Sequence, residues 1–392
     1  DSNVTNIGTN QDLTSQRLII GPNETEYYNI WVKYNEDITQ QPNVKSANIN
    51  LQLTYEQSDV GITHNTPDNC YTGKVLEDGT LEITDYNEEC GSDVTIPEEI
   101  DGYTVTKIAD GKWDNGQGKV ISAFANKNID SVNIPDTIIE IGTMAFWGTG
   151  LENLVLGENV QYIDTESFYQ NNLTSVIFPA NVKTIGQNAF TNNKLSEINI
   201  PSSVTNLGGG AFSNNQVSGE NSIIYNRNSD GTIDYSTLNS YAGNNTDNLE
   251  IPANVKTIAY SSFRAVNSSF LEVPSTVEKI DSGAFWGSII KTIKLNEGLK
   301  SIEDRAFNTT IITSINIPNS VETIGDYAFY QSKLQTVTIG NGVESIGTNA
   351  FQYQNINGTI YNPITSITIN KPQGSISGSP WGATTAQINW IG

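Results

Sequence analysis

The chain has 392 residues, and its 43 acidic and 20 basic residues give a net charge of −23 at pH 7. This charge disfavours nucleic acid and anionic membrane surfaces as partners, because both are polyanions. No apolar run reaches the ~18 residues of a membrane span, so membrane insertion is not expected.

The composition is typical of an extracellular protein. Ser, Thr, Asn and Gly are abundant, whereas the chain holds one histidine, one methionine and two cysteines. We therefore expect a secreted or cell-surface location. The first residues do not form a charged and then apolar signal segment, so any export signal is expected to lie outside this sequence.

Residues 1–58 contain no repeat and predict β-strands. Apolar residues alternate in "EYYNIWVKY" (Tyr28, Ile30, Val32, Tyr34) and in "SANINLQLTYE" (Ala47, Ile49, Leu51, Leu53, Tyr55). Such alternation is typical of antiparallel strands with one buried face. Because two or three strands cannot bury a core, we interpret 1–58 as the end of an immunoglobulin-like sandwich or as a β layer packed on the coil that follows.

Residues 59–102 are interpreted as an amino-terminal cap. Cys70 and Cys90 flank two short alternating runs around Asp78-Gly79, and Asp-Gly between such runs is a hairpin signal. A hairpin brings its ends together, so we predict a Cys70–Cys90 disulfide in preference to two free buried thiols. That disulfide would indicate an oxidising compartment.

Residues 103–370 are interpreted as a repeat array. The stretch "FPANVKTIGQNAF" at 178–190 returns as "IPSSVTNLGGGAF", "VPSTVEKIDSGAF" and "IPNSVETIGDYAF". The motif Phe stands at positions 124, 146, 168, 190, 212, 263, 285, 307, 329 and 351, at intervals of 22 residues except for one of 51. A fixed period of this kind predicts a solenoid whose coils are stable only when stacked.

One coil illustrates the expected path. The side chains expected to point inward are Leu173, Val176 and Phe178 on a short strand, Val182 and Ile185 on the return, and Ala189 and Phe190 at the corner. Pro179 would end the strand because it lacks an N–H, and Gly186 would permit a sharp corner. The polar residue three places after each Phe is expected to satisfy backbone groups inside the stack; these residues include Asn171, Asn193 and Asn215.

The array is interrupted and capped. The first coil is lengthened by a segment containing "KWDNGQGKV", and an insertion lies at about 216–246. Insertions in repeat proteins often form binding loops. Here we favour a degenerate coil with a hairpin at Ser229-Asp230-Gly231. Residues 371–392 break the period and are interpreted as a carboxy-terminal cap, with Trp381 and Trp390 covering the core.

The pattern Leu-x-x-Val/Ile-x-Ile-Pro-x-x-Val-x-x-Ile-Gly-x-x-Ala-Phe resembles the BspA-like leucine-rich repeats of bacterial surface and secreted proteins. The resemblance covers about residues 92–370, and the segment around Cys70 and Cys90 resembles their amino-terminal cap. It implies a β-rich solenoid, wound as a right-handed superhelix of 22-residue coils. It also implies adhesion to a host or bacterial surface protein or glycan. We expect a monomer.

The sequence offers little for catalysis. His64 stands alone, and we interpret it as a linker residue rather than a catalytic or metal-binding one. Glu250 and Glu272 take equivalent places in adjacent coils and are interpreted as solvated carboxylates. We expect no enzyme, cofactor or metal site, with a carboxylate-dependent glycoside hydrolase as a remote alternative.

The outward side chains of the strand sheet form the candidate ligand-binding face, which solenoid curvature would make concave. Its residues are Asn153, Val155, Ser175, Ile177, Glu197, Asn199, Phe270, Glu272, Thr292, Lys294, Ser314 and Asn316. Phe270 would be a binding anchor or would fold against the insertion. The aromatic residues that directly follow a motif Phe would stack on sugars or, as we favour, cover the neighbouring coil; they are Trp147, Tyr169, Trp286 and Tyr330. They do not form an unbroken series from coil to coil.

These features predict an adhesion or recognition protein that binds its ligand non-covalently through the strand face. The alternative is a structural spacer, a stalk that displays another domain.

Overall fold

The computed structural model describes residues 68–243, 249–353, 355–356, 359–360 and 364–392. The predictions for residues 1–58 and for His64 lie outside these residues. No helix formed by the described residues has both the length and the apolar character that crossing a membrane requires.

The described residues form strands joined by turns, together with short 3-10 turns at Asp68–Cys70, Glu88–Cys90 and Gly219–Ser222. The strands are β1 (Tyr71–Val75), β2 (Leu81–Tyr86), β3 (Asp93–Thr95), β4 (Glu99–Ile100), β5 (Tyr103–Ile108), β6 (Lys112–Asp114), β7 (Lys119–Ile121), β8 (Ser131–Asn133), β9 (Glu140–Ile141), β10 (Asn153–Val155), β11 (Tyr162–Ile163), β12 (Thr184–Ile185), β13 (Asn206–Leu207), β14 (Ile223–Arg227), β15 (Ile233–Tyr241), β16 (Thr257–Ile258), β17 (Asn267–Val273), β18 (Lys279–Ile280), β19 (Ile289–Leu295), β20 (Ser301–Ile302), β21 (Ser314–Ile317), β22 (Thr323–Ile324), β23 (Thr336–Ile339), β24 (Ser345–Ile346), β25 (Asn355–Ile356), β26 (Thr359–Ile360), β27 (Ser366–Ile369) and β28 (Gln387–Trp390).

The predicted solenoid is confirmed, with about 13 turns and coils of about 22 residues. One row of strands, which we call the return wall, follows the position that holds proline in most coils and Gly157, Asn296 or Gly340 in the others. Its strands pair in parallel in the orders β2-β5-β9-β11-β12-β13 and β15-β16-β18-β20-β22-β24. The register advances by one repeat per coil, so Ile163 lies beside Ile185 and Ile185 beside Leu207. The alternation of buried and exposed residues in these strands turns the isoleucines inward.

The second row, which precedes the proline, is the predicted strand face. It is divided into three sheets in the orders β3-β8-β10, β17-β19 and β21-β23-β27-β28. The prediction of a strand through Leu173 and Phe178 is wrong, because residues 173–178 and 195–200 lie in no strand. We attribute this break to Phe178, which stands where other coils have an aliphatic residue. Its ring packs edge-on against Phe190 and Phe212, at 5.3 and 5.9 Å between centroids.

The motif phenylalanines are stacked in the interior, as predicted. Each is at most 1 % exposed, and successive rings are nearly parallel, with centroids 4.5–5.5 Å apart. Tyr86 extends the first stack beyond Phe124, and Tyr241 begins the second stack at Phe263. Each ring inside a stack therefore buries both of its faces against neighbouring rings, whereas Phe212 and Phe351 end their stacks.

The corner that carries each Phe is fixed by left-handed backbone on both sides. The residue two places before the Phe has φ between +53° and +70° at Met144, Glu166, Asn188, Gly210, Ser261, Gly283, Arg305, Tyr327 and Asn349. The residue two places after it has φ in the same range at Asn126, Gly148, Gln170, Asn192, Asn214, Ala265, Gly287, Thr309 and Gln331. Most of these residues are not glycine, so the corner holds a conformation that costs L-residues about 1 kcal/mol or more each.

Backbone hydrogen bonds between coils stabilise this corner. Around Phe168, the N–H groups of Glu166, Phe168 and Gln170 each donate to a carbonyl of the next coil at 2.9 Å. We call this arrangement the corner ladder. Because alternate N–H groups point along the stack, the left-handed residues lose no hydrogen bond.

The predicted role of the buried polar residues is confirmed where they are asparagines. Asn193 Nδ2 donates to the carbonyls of Phe168 and Phe190, and its Oδ1 accepts from the N–H of Leu173. Asn171 and Asn215 make equivalent bonds. Each asparagine thus joins two coils.

The explanation offered for Gly186 is wrong. Its φ is not in the left-handed region, and the reason for glycine is close packing. A Cβ at this position would lie 2.4 Å from the backbone nitrogen of Thr165, in the preceding coil. The corner's unusual backbone falls instead on the residues beside the Phe.

The insertion forms a hairpin between β14 and β15, and it separates two hydrophobic cores. The amino-terminal core extends from Cys70 to Ala242, and the carboxy-terminal core from Leu238 to Ala383. Ile224 belongs to the first core, whereas Ile223 and Tyr225 pack against the second. The hairpin is therefore a wedge between the cores, in agreement with the favoured interpretation.

The two ends of the described solenoid are closed by different means. β1 and β2 form the predicted hairpin, and the Cys70–Cys90 disulfide is present with Cα atoms 6.0 Å apart. At the other end, Trp381 is buried in the carboxy-terminal core and its carbonyl accepts from the N–H of Phe351. Trp390 is partly buried against the same core.

We expect the Phe307→Ala substitution to lower the free energy of unfolding by about 3–5 kcal/mol, because it removes a ring buried on both faces. The matched control is Phe270→Ala, which truncates a ring that is 46 % exposed on β17 and should cost less than about 1 kcal/mol. Urea unfolding followed by circular dichroism measures both values. Equal losses would contradict the stacked core.

Candidate functional site

All twelve side chains of the predicted ligand-binding face are exposed. The structure groups them unequally. Phe270 lies beside Thr292 and Glu272 beside Lys294 in the β17–β19 pair, while Ser314 and Asn316 lie on β21. Asn153 and Val155 lie on β10, and the remaining four are in segments outside strands; these are Ser175, Ile177, Glu197 and Asn199. Their role in binding stays a prediction.

Large apolar side chains are exposed on this face in both halves of the solenoid, and they include Ile289 of β19, at 46 %, which was not foreseen from the sequence. Val155 and Ile177 are 59 % and 65 % exposed in successive coils, and Phe270 is 46 % exposed in the other half of the solenoid. These are the three residues that the sequence indicated. Phe270 is thus not buried against its neighbours, and its role as an anchor for a partner stays a prediction.

Glu250 and Glu272 are neighbours on this face, joined by an isolated parallel bridge. Lys294 Nζ and Asn296 Nδ2 each donate to Glu272 Oε1 at 2.7 Å. These hydrogen bonds lower the pKa of Glu272, and the bond from Lys294 has the larger effect. A glycosidase needs one carboxyl group with a raised pKa as its general acid, so Glu272 does not fit that role.

A carboxylate cluster on the return wall was not foreseen from the sequence. Asp110, Glu140 and Asp164 each place one oxygen within 4.8 Å of the others, and they are the one such group of three among the residues described. Lys107 Nζ supplies a counter-charge at 2.6 Å from Glu140 and 3.7 Å from Asp110. One feature of the sequence could have indicated this cluster. Asp164 stands four residues before its motif Phe, at the position that Gly186 holds in the next coil.

The charge state of Asp164 depends on this cluster. Burial, followed by the carboxylates of Glu140 and Asp110, raises the pKa of Asp164 to about 6. Both effects disfavour a third negative charge at this place on the wall.

Three of the corner aromatics, Trp147, Tyr169 and Trp286, lie in one row with Arg264 between the last two, whereas Tyr330 packs against Tyr327. As expected from the sequence, the four aromatics do not form an unbroken series. Trp147 stacks on Tyr169 at 5.8 Å, and the half-exposed Trp113 of the β6–β7 hairpin meets Trp147 edge-on at 6.3 Å. The Arg264 guanidinium lies 5.1 Å from the ring centroids of both Tyr169 and Trp286. Because each ring is covered by a neighbour, the row supports the favoured interpretation that the aromatics cover adjacent coils.

Arg264 connects the two halves of the solenoid. Tyr169 belongs to the coil of Phe168 and Trp286 to that of Phe285, on opposite sides of the hairpin. The contact is possible because the intervening corner residues Thr191 and Ser213 are small and fully buried. Glu166 Oε1 adds an ion pair at 4.0 Å; burial raises the pKa of Glu166 and the nearby Arg264 charge opposes that rise.

The repeat family is decided by comparison with known proteins. The sequence matches the family described as BspA type leucine-rich repeat region, in 6 copies, over residues 121–228 and 236–357. The chain belongs to the BspA-type leucine-rich repeat family. The break between the two matched stretches falls at the turn of the β14–β15 hairpin. No curated protein sequence matches the chain significantly.

Three solved structures illustrate what the chain is similar to. The pneumococcal vaccine antigen PcpA is 20% identical, with a TM-score of 0.47, covering 82% of this chain and 91% of its own. A leucine-rich cell surface protein from Faecalibacterium prausnitzii is 22% identical, with a TM-score of 0.43, covering 82% and 97%. A leucine-rich repeat protein from Eubacterium ventriosum is 20% identical, with a TM-score of 0.47, covering 81% and 82%.

The charge of this BspA-type array is concentrated in one half. Residues 68–243 hold 24 acidic and 8 basic residues, whereas residues 249–392 hold 10 acidic and 9 basic ones. The division coincides with the hairpin between the two cores. The amino-terminal half therefore creates most of the negative potential of the solenoid.

We expect Asp164→Asn to raise stability near neutral pH. The pKa of Asp164 in the folded state is about 6, above the unfolded value of 3.8, so the folded state binds the proton more tightly. The protonated Asp164 therefore adds to the free energy of unfolding at about pH 4, and this contribution is lost as the pH rises through about 6. The asparagine variant stays neutral and should lack this loss.

Thermal unfolding of both proteins across this pH range measures the difference. Asp281→Asn is the matched control, since Asp281 takes the place of Asp164 in another coil and lies 3.5 Å from Lys279. That variant should not gain stability near neutral pH. A parallel pH dependence of wild type and Asp164→Asn would contradict the linkage.

We expect Arg264→Lys to lower stability by about 1–2 kcal/mol, because an ammonium group cannot stack between two rings as a guanidinium does. Arg305→Lys is the control. Arg305 lies over the single ring of Tyr327, at 5.0 Å, within one core. Urea unfolding should show the smaller loss for Arg305→Lys, and equal losses would argue against a connecting role for Arg264.

Proposed function

We propose that the protein acts at the bacterial cell surface or outside the cell, where its strand face binds a protein or glycan without covalent chemistry. The observation that carries this proposal is the exposure of all twelve outward side chains on a backbone fixed by stacking. Membership of the BspA-type family supports a surface role.

The chemistry of the face suits recognition. Ser, Thr and Asn side chains present hydrogen-bond donors and acceptors, and Val155, Ile177 and Phe270 add apolar area. The stacked coils hold these groups at intervals of about 4.8 Å before any ligand arrives. A rigid surface loses little conformational entropy on binding, which favours affinity.

The location proposed is the cell surface or the extracellular space. The Cys70–Cys90 disulfide supports an oxidising compartment, because cytosolic thiols are kept reduced. The cell surface protein from Faecalibacterium prausnitzii has the same fold.

The test compares two triple variants of equal charge. Thr292→Lys, Ser314→Lys and Asn316→Lys together alter the strand face, and Thr205→Lys, Thr323→Lys and Ser345→Lys together alter exposed positions of the return wall. We expect the first variant to lose at least about tenfold in affinity on arrays of extracellular-matrix proteins and glycans, and the second to lose less than about threefold.

Circular dichroism and unfolding curves serve to establish that both variants keep the fold. Equal binding by wild type and both variants would overturn the proposal. The spacer function would be supported instead by two results together. Neither triple variant would change binding, and deletion of one whole coil would abolish surface display of an attached domain.

A further inference from the structure

A groove lies across the turns that end the first strands of the strand face, in the amino-terminal half of the solenoid. It has a volume of about 520 Å³ and crosses three successive turns, at residues 95–98, 133–136 and 155–157. Three coils at about 4.8 Å spacing give a length of about 10 Å, which matches about three residues of extended chain.

The groove has an apolar base. Pro97, Pro135 and Leu156 are partly exposed in it, and Val155, at 59 % exposure, forms one side. The prolines lack an N–H, so this surface offers few backbone donors. Methylene groups of a ligand can therefore pack here without leaving donors unsatisfied.

The rim of the groove is acidic. Asp68, Glu98 and Asp136 line it, and its lining contains no lysine or arginine. Within the described part of the chain, no ion pair neutralises these three carboxylates; Asp136 Oδ1 accepts from the N–H of Glu158, at 2.7 Å. The groove also lies in the half of the solenoid that holds 24 acidic and 8 basic residues.

A second groove differs from the first in its charge and in its position on the coils. It has a volume of about 480 Å³ in the carboxy-terminal half and is lined by Lys256, Glu278 and Lys300. Lys256 and Glu278 form an ion pair at 3.5 Å. The second groove therefore does not share the unpaired acidic lining of the first.

We propose that the first groove binds a short extended segment of a protein partner in which lysine or arginine alternates with apolar residues. The aliphatic stems of basic side chains would lie along the prolines and Leu156, and their charged ends would meet Asp68, Glu98 and Asp136. An uncharged glycan could donate hydroxyl hydrogen bonds to these carboxylates, but it would not neutralise their charge as a basic side chain does. The inference rests on the proposed recognition function and names the chemistry of one partner.

The charge of the amino-terminal half adds a kinetic effect. A negative field attracts a basic segment before contact and raises the association rate, and added salt weakens it. The groove then selects among basic segments by the fit of their apolar residues, because the field alone does not distinguish sequences.

The test uses the full chain and a fluorescein-labelled peptide of alternating Lys and Val, with fluorescence anisotropy as the readout. Glu98→Lys changes an exposed side chain of the groove, and Glu344→Lys makes the same charge change at an exposed site in the other half. We expect Glu98→Lys to weaken binding about tenfold and Glu344→Lys less than about twofold.

Two further measurements test the apolar part of the proposal. Val155→Ser should lower the affinity for the Lys/Val peptide a few-fold and leave the affinity for a peptide of alternating Lys and Gly unchanged. A peptide with Glu in place of Lys should not bind. Equal effects of Glu98→Lys and Glu344→Lys would show that only the overall field attracts the peptide, and this would overturn the groove.

The outcome is separable from that of the proposed function. If the Lys/Val peptide fails to bind while the Thr292, Ser314 and Asn316 triple variant still loses array binding, the groove inference alone fails. If the triple variant binds normally while Glu98→Lys abolishes peptide binding, the recognition surface is the groove and the strand face is not.

Discussion

The corner ladder is the constraint on which the rest of the solenoid depends. Each coil contributes only short strands, and most of its cohesion lies where a buried ring stacks on the ring of the next coil. The N–H groups at the Phe and two places to either side point along the stack, as at Glu166, Phe168 and Gln170. A corner without a neighbour would leave these donors unpaired beside a bare ring. Left-handed backbone at non-glycine residues is therefore stable only inside the stack.

Much of this arrangement could be predicted from the sequence, because it follows from the 22-residue period of the repeat. The spacing of Phe124, Phe146 and Phe168 required a shared interior, and Asn193 was correctly placed as a buried bridge. The left-handed corners could not be foreseen, since the residues that adopt them include Met144, Arg305 and Tyr327, which have no such preference. Their conformation is imposed by the neighbouring coil.

The features of the candidate site that the sequence missed all arise between coils. The carboxylates of Asp110, Glu140 and Asp164 come from three successive coils. Because they are far apart in the sequence, no single repeat contains this group of acidic residues. The contact of Tyr169 with Arg264 spans the hairpin and depends on the small size of Thr191 and Ser213. The break in the strand face covers residues 173–178 and 195–200, at positions where the period alone predicts continuity. Exposure of the outward residues, by contrast, depends only on alternation and was predictable.

The two cores divide one solenoid into two arrays whose surfaces differ in charge. The stacking requirement fixes the inward residues and the corner ladder, but it leaves the strand face and the turns free to vary in charge. The hairpin marks the change, with a strongly acidic array before it and a nearly neutral array after it. Arg264 joins the two arrays across the junction, because its guanidinium lies over the rings of both Tyr169 and Trp286. The acidic array and the nearly neutral array therefore differ in charge while they belong to one compact unit.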